Sequence, residues 1–518
     1  MTLSNDRRAE LASIVGDARV LTDRADLLAY NADCSPRGII LTRGRRLEAG
    51  QPAAVVQPDG VDELRGLVEW AARTGTALVA YGDGSGVCRG AVGNADSVVV
   101  DLKRFDDILE LDEDRRSVRV QAGVNGYLFE REMQRRGWTA GHFPSSIYCS
   151  SVGGWVAARG AGQLSSRYGK IEDIVESVRV VTGRGDVIDT AESPPPDPTP
   201  WFVGSEGTLG FITDVTLQVE PKPADRHYRG FQFDDLSDGL EAIRRLMQSG
   251  LRPAVVRLYD PFDTLVKKAP SGDGAGTLRR ALPAALRTAL EARVDEWGRA
   301  AFNELIRRAG WVNGAVDAFS SECRLIVGYE GHTETLQTEA EAGFDLLRRY
   351  GVDLGVEPGE EWREHRYAVS YKQSPVFDAG AFVDTMEVAT SWSNLESLYQ
   401  RVREALAPHV LVMAHFSHVY TAGSSIYFTF VGSADTAEEA LELHQTAWRR
   451  GLDAVDGAGG SIAHHHGVGS VKTPWTGRDH RGGEAGFRAL KEAFDPDGIL
   501  NPGKVYPRAA TEPREASP

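Results

Sequence analysis

Cysteine is scarce in this chain. Its 518 residues hold four, Cys34, Cys88, Cys149 and Cys323, too scattered for a disulfide framework and without metal-ligand spacing, so a reducing cytoplasm is expected. Long apolar runs are missing too. No stretch of about 18 apolar residues exists, so no membrane-spanning helix is expected. The opening Met1-Thr2-Leu3-Ser4-Asn5-Asp6-Arg7-Arg8 has no apolar core, and the closing Ala516-Ser517-Pro518 is no peroxisomal address, so neither a signal peptide nor that targeting is expected. Positive charge is in deficit: the net charge of −16 argues against nucleic acid as partner, although an anionic small substrate needs only one or two local cations. The glycine-rich loops lack the Gly-Lys-Ser/Thr of a nucleotide-triphosphate loop and the third spaced glycine of a Rossmann turn. The length exceeds what one core fills and predicts two or three domains.

The residues present begin to organise near Ala53. Ala53–Pro58 reads as a buried strand ended by proline, and Val61–Thr74 as a helix with Leu64, Leu67, Val68 and Ala71 on one face. Thr76–Ala80 is a strand running into Tyr81-Gly82-Asp83-Gly84-Ser85-Gly86. Strand followed by glycine loop suits phosphate binding, because successive amides are left free to face one anion; a tight turn without ligand has the same signature. Ser97–Leu102, Ser117–Val124, Ile174–Val181 and Phe211–Val219 read as further strands, and Pro194–Pro198 as a stiff surface loop.

The most informative stretch is Gly460-Ser461-Ile462-Ala463-His464-His465-His466-Gly467-Val468-Gly469-Ser470-Val471-Lys472. The triplet is internal, unlike a purification tag. In a strand, consecutive histidines alternate faces, so at most two are expected to share one metal ion. A polar wall facing substrate is the preferred reading, since each imidazole needs a partner and titrates near neutrality.

Between these segments, Pro221-Lys222-Pro223 predicts a boundary. Phe231–Phe233, Val255–Leu258 and Arg324–Gly331 read as strands, with helices Leu236–Gln248 and 333–350. A second set comprises Ala381–Glu387, Leu395–Leu406, Val410–His415 and Ile426–Val431. Phe262–Phe319 is a helical insertion whose Leu278, Leu282, Ala285, Leu286, Leu290, Trp297 and Phe302 make either ordinary core helices or an apolar lid for a long-chain substrate.

Four motifs in order over about 130 residues carry a resemblance. They are Gly82-Asp83-Gly84-Ser85, His142-Phe143-Pro144-Ser145-Ser146, Val152-Gly153-Gly154-Trp155 and Gly204-Ser205-Glu206-Gly207-Thr208-Leu209-Gly210. Together they resemble the PCMH-type FAD domain of the vanillyl-alcohol-oxidase superfamily. The resemblance implies an α+β fold: a two-subdomain FAD-binding domain over 1–222 (core about 48–222), an α+β cap or substrate domain over 223–484 with an antiparallel sheet and the helical insertion, and a segment 485–518 that returns to the FAD domain through Phe494–Lys504. It implies FAD held by Ala80, Tyr81, Gly82, Asp83, Gly84, Ser85 and Gly86, by Pro144, Ser145, Ser146, Ile147, Ser150, Ser151, Gly153 and Gly154, by Ala158, Arg159, Gly160 and Ala161, and by Glu206, Gly207, Thr208, Leu209, Gly210 and Ile212. Ser85 stands where histidyl-flavin members often carry His, and Cys149 is not at a cysteinyl-flavin spacing, so the FAD is expected to be non-covalent.

From about residue 50 onward the chain is similar to the alkyl-dihydroxyacetone-phosphate synthase family, with the triplet as signature. That implies Tyr427, His464, His465 and His466 as catalytic, and Arg257, Lys372, His415 and His418 as substrate-binding. It implies ether-lipid synthesis from acyl-dihydroxyacetone phosphate and a fatty alcohol, through a flavin N5 adduct without net redox change. Tyr427 would be the base, its pKa lowered by nearby cations, with Arg257 and the histidines as cations for phosphate and leaving carboxylate. The family's Arg-Asp pair is missing where this chain has Tyr371-Lys372-Gln373-Ser374, which leaves a lysine without the planar fork. The alternative is an FAD-dependent oxidoreductase. FAD-linked D-2-hydroxyacid dehydrogenases carry a related His-Gly-x-Gly-x-x-Lys, matched by His466–Lys472, but the Glu that precedes that His is here His465, so no carboxylate ligand is expected and no metal is assigned; His415 and His418 either support the triplet or form a metal site with one of its histidines. A non-catalytic flavoprotein is a third class. Peripheral membrane contact and a homodimer stay open.

Overall fold

A computed structural model describes residues 3–44, 50–268, 296–332, 334–368 and 373–507. Helices Asn5–Val15, Arg24–Ala29 and Pro36–Arg43 precede the first unit read from the sequence. Strands β1 (Val20–Leu21), β2 (Ala54–Val56), β3 (Ala77–Tyr81) and β4 (Ser97–Asp101) form a small sheet in the order β1-β2-β4-β3, parallel except at the β1 edge. Its strands are continuous apolar runs, as a sheet covered on both faces requires. The helix Val61–Thr74 buries Leu64, Leu67, Val68, Trp70 and Ala71 and ends on Gly75 in the left-handed conformation.

A second sheet is antiparallel. It holds β5 (Ile108–Asp112), β6 (Ser117–Gln121), β8 (Val175–Val181), β9 (Val187–Asp189) and β10 (Phe211–Gln218), in the order β5-β6-β10-β8-β9. The short β7 (Trp138–Thr139) pairs with β11 (Glu220–Pro221). The third sheet is the largest: β12 (Asp225–Phe233), β13 (Val255–Tyr259), β14 (Cys323–Gly331), β15 (Val352–Gly355), β16 (Phe382–Ser391), β17 (Leu411–Val419) and β18 (Gly423–Gly432), all antiparallel, in the order β15-β12-β14-β13-β17-β18-β16. The fold is thus α+β with antiparallel sheets, as expected. β12 is longer than Phe231–Phe233 because it pairs with β14 along its whole length.

The two faces of the third sheet differ. Val256, Leu258, Leu325, Val327, Met386, Val388, Val412, Ala414, Phe416, Ile426, Phe428 and Phe430 point to one face and join the core under helices Leu236–Gln248, Leu336–Leu347, Leu395–Leu406 and Ala437–Gly457. The last of these helices has a capping box, Thr436 with Glu439. On the opposite face, Val255, Tyr259 and Ile326 pack into the core of the FAD-binding half. Farther along that face Val383, Leu411 and Val431 are covered by the insertion, through Phe262, Leu305, Ile306, Val312 and Val316. The described insertion helices Pro261–Lys268, Glu296–Arg307 and Ala309–Phe319 therefore pack as core. Leu278, Leu282, Ala285, Leu286 and Leu290 lie outside the described residues, as does the Trp297 side chain. Between the FAD-binding half and the insertion, the sheet face carries polar side chains.

Near the C-terminus the chain returns to β3. Leu78 N–H donates to Ile499 O (2.8 Å) and Asn501 N–H to Leu78 O (2.8 Å), which adds a short parallel bridge. Lys491 Nζ donates to Thr208 O and Leu500 O.

Candidate active site

The glycine loop following β3 opens onto a cavity with about 920 Å³ of empty space when its open mouth is included. Ala80, Tyr81, Gly82, Asp83, Gly84, Ser85 and Gly86 line one side, Ser151, Gly153, Gly154 and Ala158 a second, and Glu206, Gly207, Gly210 and Ile212 a third. Cys88, Gly90, Ala91, Leu102, Ala122 and Ala157 complete the wall without having been read from the sequence. Most of the wall is glycine, alanine and serine. Gly207 has φ +72°, and a Cβ there would come within 2.9 Å of Ala80.

Ten residues expected at the cofactor do not line this cavity: Pro144, Ser145, Ser146, Ile147, Ser150, Arg159, Gly160, Ala161, Thr208 and Leu209. Several of their side chains are engaged elsewhere or lie in the core. Ser150 Oγ accepts from Trp155 Nε1 (2.8 Å), Gln163 Nε2 donates to Ser145 Oγ (3.0 Å), Arg159 turns out to Glu172 (3.1 Å), and Ile147 and Leu209 are core. Beside them His142 is buried against Trp155 (ring centroids 4.7 Å) with neither ring nitrogen hydrogen-bonded, and burial pushes it down to about 3.

His466 also lines the cavity, and there the two halves meet. Glu206 supports this junction. Its carboxylate accepts from Val468 N–H (2.6 Å) and Gly469 N–H (2.9 and 3.0 Å). Gly467 and Gly469 have positive φ, and a Cβ on Gly467 would lie 2.9 Å from that carboxylate. The glycines following the triplet thus admit a buried acid from the FAD-binding half.

On the polar face of the large sheet the strand register builds a row. Arg324, Tyr259, His415, Tyr427 and Glu387 are successive cross-strand partners over β14, β13, β17, β18 and β16. His415 and Tyr427 stack at 4.7 Å, and Asp263 of the insertion stands 3.6 Å from His415. Arg257 lies two residues before Tyr259 on the same face, its guanidinium 5.5 Å from the Tyr259 ring and its buried Nε without a hydrogen-bond partner.

The triplet does not run as a strand with alternating faces. Its backbone curls around one carboxylate: Glu387 accepts from the N–H groups of His464 (2.6 Å), His465 (3.3 Å) and His466 (3.1 Å), and from Lys472 Nζ (2.8 Å). All three rings consequently gather in one place. His464 Nδ1 lies 3.1 Å from His465 Nδ1, and the His465 and His466 rings are 4.4 Å apart. Tyr427 meets His466 edge-on at 5.3 Å. His418 joins through a β-bulge. The register shifts between Ser417 and Val419 and His418 takes φ +52°, which sets its ring 4.4 Å from His465 and bonds it to Ser165 Oγ (2.9 Å). Lys372 lies outside the described residues.

The electrostatics correct two expectations. The histidines are not cations here. Burial brings His464 and His466 down to about 4 against the pull of Glu387, and takes His418 and His465 well below the usual range, neighbouring imidazoles adding to it. Nor is the Tyr427 phenol lowered: burial raises it, outweighing the Thr385 hydroxyl and the charge of Arg257. The site therefore presents neutral imidazoles and a protonated phenol. Beneath it, Glu387 and Lys472 keep one another charged against burial, the acid below its ordinary value and the lysine above.

Glu387, His464 and His465 place ligand-type atoms within 4.8 Å of one another. A carboxylate, expected to be absent, thus reaches the triplet from β16, but its oxygens already hold Lys472 and three backbone N–H groups.

Residues 222–505 match the family described as FAD linked oxidases, C-terminal domain, and residues 52–191 the family described as FAD binding domain. The chain belongs to the FAD-linked oxidases. FAD is the cofactor of that family, and the mostly glycine, alanine and serine wall leaves the cavity open for it. Among relatives, the alkyldihydroxyacetonephosphate synthase of Dictyostelium discoideum is 29% identical over 489 residues, covering 90% of this chain and 76% of the relative. The glycolate oxidase subunit GlcD of Bacillus subtilis (strain 168) is 23% identical over 518 residues, covering 98% of each. A solved alkyldihydroxyacetonephosphate synthase superposes with a TM-score of 0.75 at 25% identity, covering 97% of this chain and 85% of that one. p-Cresol methylhydroxylase, at 17% identity and a TM-score of 0.73 over 97% and 96% of the two chains, shares the fold. Among the described residues no helix is long and apolar enough to cross a membrane.

Proposed function

We propose that this FAD-linked enzyme exchanges the acyl group of an acyl-dihydroxyacetone phosphate for a fatty alcohol, with no net redox change. The observation that carries the reading is the cluster of neutral imidazoles around Tyr427, with His466 shared between that cluster and the cofactor cavity. The synthase relatives support it. In the exchange the C1–O bond to the fatty acid breaks, the fatty acid leaves as a carboxylate, the alcohol oxygen bonds to C1 with release of its hydroxyl proton, and the proton taken from C1 is returned to it. Bound FAD supplies an electron-poor ring that stabilises charge developing at C1.

The side chains do the rest. His466, unprotonated at neutral pH, accepts the C1 proton, and the protonated Tyr427 donates to the adjacent carbonyl oxygen. These roles exchange base and donor relative to the family-based expectation, because burial favours the neutral form of each. Arg257 pairs with the phosphate, and its unpartnered Nε is the donor available for a fork. His415 stacks on Tyr427 and fixes its ring, while His418, His464 and His465 offer neutral hydrogen bonds to the leaving carboxylate. Lys372 is a second candidate for the phosphate. Attachment of FAD is non-covalent: the cysteine on the cavity wall, Cys88, is buried and its thiol is held well above the ordinary value, so it is no nucleophile.

Anaerobic incubation of the FAD-loaded protein with palmitoyl-dihydroxyacetone phosphate and hexadecanol tests the reading, with ether product followed by mass spectrometry. Ether formation without an electron acceptor, lost in His466→Ala, is expected. A second reading, oxidation of a 2-hydroxy acid, is favoured by Glu387 standing beside His464 and His465. No ether from flavinated protein, together with bleaching of the flavin by a 2-hydroxy acid, would replace the first reading by the second.

A further inference from the structure

A chain of hydrogen bonds leads out of the imidazole cluster. Ser165 opens the short helix Ser165–Tyr168 in the FAD-binding half. His418 and Tyr420, at the end of β17, are 253 and 255 positions away in sequence. The buried Ser165 Oγ nevertheless lies 2.9 Å from His418 Nδ1 and 3.0 Å from Tyr420 Oη. A hydroxyl between two such groups donates to one and accepts from the other. His418 reaches it from the β-bulge, at φ +52°, a conformation that residues other than glycine adopt at a cost. With Nδ1 on Ser165, the ring's other nitrogen, Nε2, is left for the cluster, where the His465 ring is 4.4 Å away. At the outer end Tyr420 is half-buried, with Lys170 Nζ 5.6 Å from its ring centre. Lys170 pairs with Glu172 (2.7 Å), and Glu172 with Arg159 (3.1 Å), whose side chain is 59% exposed. The chain therefore begins at the cluster and ends at the protein surface.

We propose that Ser165 and Tyr420 relay protons between His418 and solvent; this rests on the acyl-for-alcohol exchange proposed above. That exchange leaves two protons to be moved, one for the freed carboxylate and one from the alcohol. In the first half the carboxylate released from C1 takes the proton on His418 Nε2 and departs from the site as the uncharged acid. As that N–H bond breaks, Nδ1 takes the Ser165 proton, Ser165 takes the Tyr420 proton, and Tyr420 takes one from water. In the second half the alcohol O–H bond breaks as its oxygen bonds to C1. The proton goes to Nε2, while Nδ1, Ser165 and Tyr420 each hand one outward, the last to water. One proton enters and one leaves, no electrons are exchanged with the path, and each half restores the imidazole tautomer that the other needs. No group on the path has to hold a charge, because burial keeps His418 neutral and the Tyr420 phenol protonated.

The test is ether formation by the FAD-loaded protein from palmitoyl-dihydroxyacetone phosphate and hexadecanol, compared among the native chain, Ser165→Ala, Ser165→Thr and Tyr420→Phe, in water and in deuterium oxide. Ser165→Ala is expected to lower kcat by about 10²-fold with little change in KM. Ser165→Thr keeps the hydroxyl and should restore most of that loss, and Tyr420→Phe should fall between the two. The native rate should drop in deuterium oxide with a curved dependence on deuterium fraction, as several protons moving together require, and the curvature should vanish in Ser165→Ala. Native turnover in Ser165→Ala, or equal losses in Ser165→Ala and Ser165→Thr, would overturn the relay while the exchange reaction stands. No ether from the native flavinated protein would overturn the exchange reaction, and the relay with it.

Discussion

The two faces of the seven-stranded sheet are made by the same strands and do opposite work. On β18, Phe428 is fully buried among aromatic and aliphatic side chains, while its neighbour Tyr427 faces the imidazole cluster. On β16, Met386 and Val388 belong to the core, and Glu387 between them anchors the histidine triplet. Alternation along a strand separates stability from chemistry at single-residue resolution. One face is expected to tolerate no loss of volume, and the other, on the proposed function, to keep its stability but lose turnover on shape-preserving changes.

The sharpest way to break that comparison is to mutate adjacent residues. Phe428→Ala should cost about 3–5 kcal/mol of stability through the cavity it leaves, read as a lower urea midpoint. Tyr427→Phe keeps the ring and removes one hydroxyl, and should leave the midpoint within about 1 kcal/mol. Its turnover should nevertheless fall by about 10²-fold or more, as loss of a positioned proton donor does. Equal stability losses in the two variants would show that the polar face is merely a second core.

Alternation was the part of the fold legible in the sequence. Val61–Thr74 and Leu236–Gln248 were placed at their observed ends, and six of the seven strands of the large sheet were read at least in part, the edge strand Val352–Gly355 being missed. Helix Asn5–Val15 was missed because it buries only Leu11 and Val15. Ala437–Gly457 was missed although its capping box was visible in Thr436 and Glu439. At the site, the motifs marked the residues but not their arrangement. The triplet's curl depends on Glu387, 77 positions before His464, and a local period carries no information about a partner so distant. His418 faces the cluster because of a bulge, which no period predicts. The charge states were misjudged for a related reason: the motif identifies imidazoles, but only packing reveals how completely water is excluded from them.

A smaller effect sharpens the comparison through pH. His464 and His466 have folded pKa values of about 4, against about 6.5 in an unfolded chain. Between those values the unfolded state binds more protons, so stability rises with pH. The contribution is complete above about pH 6.5 and is lost progressively as pH falls toward 4, by at most about 1.4 kcal/mol per pH unit and histidine. Denaturant midpoints measured from pH 4.5 to 7.5 should show this slope in the native protein and a shallower one in His464→Asn. Phe428→Ala should shift the whole curve downward without changing its slope, because its loss is one of volume alone.

The smallest effect comes from Thr385, on the same face of β16 as Glu387, whose hydroxyl acts to lower the Tyr427 phenol. The Thr385 hydroxyl pulls the phenol down while burial raises it, so it helps the tyrosine share its proton. Thr385→Val keeps the shape and removes the hydroxyl. The phenol should then titrate at higher pH, and the loss of one hydrogen bond should cost about 0.5–1.5 kcal/mol, visible as a turnover decrease of up to roughly tenfold with little change in KM. Ultraviolet difference titration of the phenol, referenced to Tyr427→Phe, measures the shift directly. An unchanged titration would mean that burial alone sets the phenol's state, and that the polar face acts on Tyr427 by excluding water rather than by a specific bond.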